Sequence, residues 1–287
     1  MVGPRIFSRL VVIVWLALAG MGENPPALQF KFMTVAVPGA QQTEVYDINN
    51  AGVMVGPYSD GNGFTHCFKK TGKTYVTIDD PNSQVTTCFG INSSEAIVGY
   101  YITASGEPQG FLYEGGRFRD IGPAGAIGSR AFGINDQGVV SGVYVDRRDI
   151  SHGFLWDGSS YITLDVPGST GTGAFRINNH GVVTLYWAQP DGSIAAALYN
   201  GKSYTKLRVQ GAANTYAVGI NNLNDVTFQW NDAQDVSHGA LRHDGKIYRV
   251  DFPHSVYTDT NGVNDHHILV GSYAAPGKLL VGFAASY

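Results

Sequence analysis

The chain has 287 residues, 44% of them hydrophobic, 12% aromatic and only 15% charged, with 37 glycines and 12 prolines. That much apolar and aromatic content excludes disorder, and the lack of a strict glycine triplet excludes collagen; glycine well above the usual ~7% points to a turn-rich, all-β protein. The formal charge is −4, and the first 19 residues hold two arginines and no acid, leaving 17 basic against 23 acidic side chains, or −6. Such an acid excess argues against a nucleic-acid partner.

In chain order, the N-terminus reads as an address. Arg5 and Arg9 precede an apolar run from Leu10 to Leu18 that ends in Ala17-Leu18-Ala19, the order of a secretory signal peptide. The run falls short of the roughly 20 residues of a membrane-spanning helix, and no later stretch reaches that length. The expectation is a signal peptide over 1–22 and an exported, soluble, monomeric domain over 23–287, periplasmic or extracellular, without a transmembrane segment. Cys67 and Cys88 are the only cysteines. They could oxidise after export or remain two buried thiols, and a bridge would need their Cα atoms within ~7 Å although they lie on different strands.

One period organises the rest. Asn49, Asn92, Asn135, Asn178, Asn221 and Asn264 follow one another at intervals of 43 residues, five times without drift. Thr43, Thr86, Ser129, Thr172, Thr215 and Thr258 keep the same register, as do Tyr58, Tyr101, Tyr144, Trp187, Trp230 and Tyr273. A third column runs Phe68, Phe111, Phe154, Ala197, Ala240 and Phe283.

In the third unit, strands are predicted over 129–135, 139–144, 152–156 and 161–166, separated by turns at Asn135-Asp136-Gln137-Gly138, a polar loop over 145–151 and Asp157-Gly158. Four short strands per ~40 to 45 residues is the blade of a β-propeller. The last unit holds only three strands, 257–263, 268–273 and 280–286, while an orphan strand over 30–37 precedes the first unit and ends in Pro38-Gly39, as a fourth strand ends in Pro167-Gly168. The fold expected is a six-bladed β-propeller with four antiparallel strands per blade, closed by the N-terminal strand completing the last blade.

The recurring Gly-Ile-Asn-Asn, Val-Val-x-Gly-x-Tyr and His-Gly-Phe motifs resemble the HAF-type probable extracellular repeat family, over about residues 30–287. The matching triplets are His152-Gly153-Phe154, His238-Gly239-Ala240 and His66-Cys67-Phe68; blades four and six depart, with Ala195-Ala196-Ala197 and Val281-Gly282-Phe283. The resemblance implies an extracellular repeat protein and no particular reaction.

Residues present in every blade serve the scaffold, whereas a site breaks the symmetry. The six asparagines sit at the turn between strands one and two, where an Asn side chain bonds its own backbone. The Thr/Ser column is likewise read as structural. Gly90, Gly133, Gly219 and Gly262 would let the innermost strands approach. His66, His152 and His238 occupy alternate blades, but by the ~4.8 Å strand spacing they stand roughly 10 Å outside the innermost strands, too far apart to share one metal. An interblade hydrogen-bonding role is expected for them. His266-His267 with Asp265 would make at best a weak surface site, so neither metal nor cofactor is expected.

Symmetry breaks at one end of the ring, the top, where strand two leads to strand three and strand four to the next blade. There the loops carry Asp60, Asp146, Arg147, Arg148, Asp149, Asp191, Asp232 and Asp235, and one column varies as Glu44, Thr87, Arg130, Gly173, Tyr216 and Asp259. Asp47 and Arg176 replace glycine three blades apart and should face each other across the channel. The leading expectation is therefore a secreted binding module. Its top face and channel mouth would hold a small polar ligand or glycan through Asp47, Arg130, Arg176, Trp187, Trp230, Tyr58, Tyr101, Tyr144 and Tyr273.

The alternatives are a glycoside hydrolase or lyase and a structural or protein-interaction repeat. For catalysis the best candidates are Glu44, Asp259 and Tyr216, because paired carboxylates with a neighbouring phenol can do acid–base work.

Overall fold

The computed structural model describes residues 28–287, so the predicted signal peptide over 1–22 lies outside the described residues. Six sheets form a ring of blades, with no helix among the described residues. The third blade shows the plan: an inner strand Gly128–Ile134, then Val140–Val145, Ser151–Trp156 and an outer strand Tyr161–Leu164, all antiparallel neighbours. The last blade has Tyr257–Val263, Ile268–Ala274 and Val281–Ser286 from the C-terminal end of the chain. Its outer strand is Lys31–Val35, paired antiparallel with Val281–Ser286.

The hydrophobic clusters sit between blades. One joins Val55, Cys67 and Ile78 of blade one to Cys88, Ile91 and Phe111 of blade two, and another joins Val35 and Val270 of blade six to Val45, Met54 and Phe68 of blade one. Burial of apolar surface therefore closes the ring as well as filling each blade. The third-strand column fits by exchange of volume. Phe68, Phe111, Phe154 and Phe283 lie opposite Gly56, Gly99, Gly142 and Gly271, whereas Ala197 and Ala240 lie opposite Leu185 and Phe228. A Cβ on Gly142 would come within 2.6 Å of the Phe154 ring. Blades four and five thus keep the packed volume by moving the large side chain to the neighbouring strand.

Two side-chain columns lace the ring. Each repeat asparagine accepts backbone N–H groups with Oδ1, as Asn135 does from Gln137 and Val139. Its Nδ2 donates to the carbonyl of the corresponding asparagine in the next blade, at 3.0 Å from Asn49 to Asn92 and onward through Asn135, Asn178, Asn221 and Asn264 back to Asn49. The hydroxyls of Thr43, Thr86, Thr172, Thr215 and Thr258 each accept the N–H six residues earlier, pinning the chain as it leaves an outer strand to the next inner strand. For Thr43 that donor is Val37, just beyond Lys31–Val35, so the N-terminal strand is treated as any other fourth strand.

Cys67 and Cys88 are joined by a disulfide with Cα atoms 5.2 Å apart. Their different radial positions are no obstacle, because the twist of the blades lays the third strand of one against the inner strand of the next. The bridge closes a separation of 21 residues, and constraining such a loop contributes about 3 kcal/mol. The paired substitution Cys67→Ser and Cys88→Ser should lower the unfolding free energy by about that amount in urea titrations while leaving the far-UV spectrum unchanged; an unchanged midpoint would show that the bridge adds nothing.

Candidate functional site

The channel is plugged at its centre. In the inner-strand column containing Asp47 and Arg176, the glycines bring neighbouring strands together: a Cβ on Gly133 would lie 2.8 Å from the Phe175 carbonyl oxygen, and one on Gly219 still closer to that of Asn261. Arg176 crosses the axis. Its Nε lies 3.7 Å from Asp47 Oδ2, and its amino groups donate to the carbonyls of Phe132, Tyr46 (2.8 Å) and Phe89 (2.6 Å). Burial pulls the guanidinium pKa down and pushes the Asp47 carboxyl up, each partly offset by the opposite charge. The two residues expected to face each other thus meet, and most of their hydrogen-bonding capacity is used within the protein.

Above the plug, a bulge in the inner strands turns Tyr46, Phe89, Phe132 and Phe175 into a chain of aromatic contacts, with ring centroids 4.7 to 4.9 Å apart. This belt was not read from the sequence; its column becomes visible only once the bulge sets which way the side chains point. Arg130 lies over the Tyr100 ring at 5.2 Å.

The catalytic candidates only partly converge. Glu44 accepts from the Tyr46 and Ser272 hydroxyls at 3.4 Å, and Asp259 accepts from Ser237 at 2.6 Å and from Tyr257. Burial raises the pKa of both carboxyls, and the Asp259 charge raises Glu44 further. Tyr216 makes no hydrogen bond to either; its ring neighbours Tyr186 at 6.2 Å.

The aromatic column lies on the blades and away from the channel. Tyr58 and Tyr144 bond Thr77 and Thr163 of their own outer strands, and Tyr101 donates to Asp120 at 2.9 Å. Tyr273 stacks on Phe252, with centroids 3.5 Å apart.

Alternate blades differ here. In blades one, three and five a histidine stacks on the column, with centroids 4.8, 5.0 and 4.6 Å apart for Tyr58–His66, Tyr144–His152 and Trp230–His238. Each imidazole lies between two aspartates of its own blade. His66 meets Asp79 at 2.6 Å and Asp60 at 3.7 Å, His152 meets Asp165 and Asp146, and His238 meets Asp251 and Asp232. The expected interblade bond is therefore an intrablade one. The backbone N–H of Ile150, followed by that of Arg148, holds Asp146 down to about 2.

Blades two and four lack this histidine, and a groove opens in its place. Between blades four and five it has a volume of about 510 Å³ and is floored by Trp187, which is 6% exposed, and Ala195. Arg208 stands where the odd blades have Asp79, Asp165 and Asp251; with Lys206, Gln189, Asp191 and Thr215 it forms the walls. Among the described residues neither the Arg208 nor the Lys206 side chain has a hydrogen-bond or ion-pair partner. Asp191 is anchored by Ser193 at 2.7 Å, which also holds its pKa low. The matching groove of blade two is smaller, about 390 Å³, and contains Gln109, Asp120 and Gly122. Of the residues expected at a binding site, Trp187 is the one this groove contains; Arg208 was missed, although its departure from three aspartates was there to be read.

No family model matches the chain, and neither does any curated protein. Solved structures do resemble it. The SapL1 lectin in complex with α-methyl fucoside has a TM-score of 0.57 at 11% identity, covering 85% of this chain and 93% of that one. The fungal lectin of Aleuria aurantia, described as a six-bladed β-propeller with a fucose recognition mode, gives 0.52 at 12% identity over 88% and 93%. A putative TolB of Agrobacterium tumefaciens gives 0.58 at 11% over 73% and 80%. At these identities the likeness shows the six-bladed β-propeller fold.

The raised carboxyls carry a pH signature. A group whose native pKa lies above its unfolded value favours the fold most below the unfolded pKa, near 4, and loses that contribution as pH rises through the native value. Glu44→Gln should therefore be more stable than the parent at pH 8, with the difference closing at pH 4 in urea titrations. A difference independent of pH would contradict this coupling.

Proposed function

We propose that the protein is a secreted carbohydrate-binding propeller whose principal site is the groove between blades four and five. The carrying observation is that groove itself. Where odd blades fill the space with a histidine between two aspartates, blade four leaves it open over Trp187, with Arg208 and Lys206 uncommitted and Asp191 beside them. Guanidinium, ammonium and carboxylate groups along the groove take a sugar's hydroxyls, while Ala195 and the exposed rim of the largely buried Trp187 indole offer it apolar contact. Neighbours in fold are described in complex with fucosides, which makes α-methyl fucoside the first probe. The Cys67–Cys88 bridge and the arginine-led apolar N-terminus support export, as does the resemblance to HAF-type repeats.

A glycan screen should yield a binder. Arg208→Ala should weaken that binder by roughly thirtyfold, about 2 kcal/mol, without changing stability. Rebuilding the odd-blade arrangement with Gln189→Asp, Ala195→His and Arg208→Asp should fill the groove and abolish binding. Unaltered affinity in both variants would remove the groove from the account, and a blank screen would turn the search to protein partners.

A second reading, glycoside hydrolysis or elimination, is favoured by the raised Glu44 and Asp259 carboxyls above the plug. It requires turnover of the bound glycan that Asp259→Asn removes while binding persists.

A further inference from the structure

Asp225, His243 and His267 break the repeat together, at the opposite end of the ring from the groove. Asp225 stands at the start of strand two, where the other blades have Val53, Ala96, Val139, Val182 and Ile268. It is only 3% exposed. His267 occupies a left-handed turn position (φ 57°) that is glycine in blades one, three and four, and His243 ends the third strand where blade four has Asn200. A carboxylate introduced into an apolar column costs several kcal/mol unless it is neutralised; His267, like Glu95 and Asn224 in blades two and five, is a non-glycine residue at its left-handed turn position.

These three residues come from two blades, and their ligating atoms all lie within 4.8 Å of one another. Asp225 Oδ1 is 2.8 Å from His243 Nδ1, and Asp225 Oδ2 is 3.7 Å from His267 Nδ1. His267 Nδ1 is buried and has no hydrogen-bond partner among the described residues. Around the cluster, Asn221 and Tyr287 donate to Asp225 Oδ2 at 3.1 and 2.9 Å, and the Tyr287 ring packs edge-on against both imidazoles. Asp244 faces His243 Nε2 at 3.6 Å, the outer carboxylate that commonly orients a metal-bound imidazole. The neighbouring cation, Arg242, is turned to the Asn224 carbonyl.

We propose that Asp225, His243 and His267 bind a divalent first-row transition cation of the zinc class across the seam between blades five and six, with the fourth position taken by the Tyr287 oxygen or a water. Two imidazole nitrogens and one carboxylate suit zinc, whereas calcium and magnesium demand oxygen ligands. The ion would supply the positive charge that Asp225 lacks and occupy the unpartnered His267 nitrogen. The sequence led to no expected metal site, and the weak surface grouping it offered, His266-His267 with Asp265, differs from this cluster: of its residues only His267 takes part, and Asp265 is engaged by Asn50 and Asn222. The odd-blade histidines do not compete, because each presents its two nitrogens to separate aspartates.

The test is zinc uptake by the full protein after stripping with EDTA, read by elemental analysis and thermal melting, with cobalt(II) absorption reporting the ligand set. One equivalent per chain is expected, with the melting midpoint raised by about 5 °C at a hundredfold excess over the dissociation constant. Asp225→Val and His267→Gly restore residues of other blades and should fold, yet lose both the bound ion and the shift. His266→Ala should keep them, and Asp244→Asn should weaken binding by about tenfold. Failure of the parent to retain zinc, or equal uptake by Asp225→Val and His267→Gly, would overturn the proposal.

Discussion

Closure of the ring rests on six asparagine side chains, each donating across a blade boundary to the carbonyl of its counterpart. The same side chain also holds its own turn through Oδ1, so local turn geometry and blade-to-blade spacing are set by one residue. Every blade must then sit at one height, and the interblade apolar clusters are presented face to face. A buried amide left without its partners would cost more than the bond itself contributes, so such a belt is costly to open at any single point. Glycines bring the inner strands together around the axis, and Arg176, tied to Asp47 and to three carbonyls, fills the space that remains.

Much of this was legible because the repeat carries no insertions. The asparagine and threonine columns, the four-strand blade and the completion of the last blade by Lys31–Val35 all follow from register and from the unequal ends of the chain. What escaped was contact between columns. Nothing in a linear period says that Cys67 and Cys88 approach to 5.2 Å, since that depends on how blades twist against one another. Nor does it say that His66 turns to Asp79 in its own blade, or that a bulge aims Phe89 and Phe132 into the channel. Asp225 was legible in principle, as an acid in an apolar column, but its partners come from a different strand and a different blade.

The six blades are not equivalent at their tops. Odd blades spend their histidine and two aspartates on filling the top of the blade, blades two and four leave it open, and blade six stacks Phe252 on Tyr273 there, so the same backbone yields closed and open positions. Of the two open positions blade four differs again, with Arg208 where blade two has Gly122 and with small alanines beside Trp187. A regular scaffold can in this way acquire a single distinctive groove by substituting a few surface residues, without disturbing the belt that closes it.

The most direct test is a crystal structure of the protein soaked with the glycan that binds best in solution. The account predicts sugar density over Trp187 between blades four and five, with Arg208 within hydrogen-bonding distance of a ring hydroxyl. Density in the channel mouth above Arg176, or against the histidines of the odd blades with the blade-four groove left vacant, would contradict it.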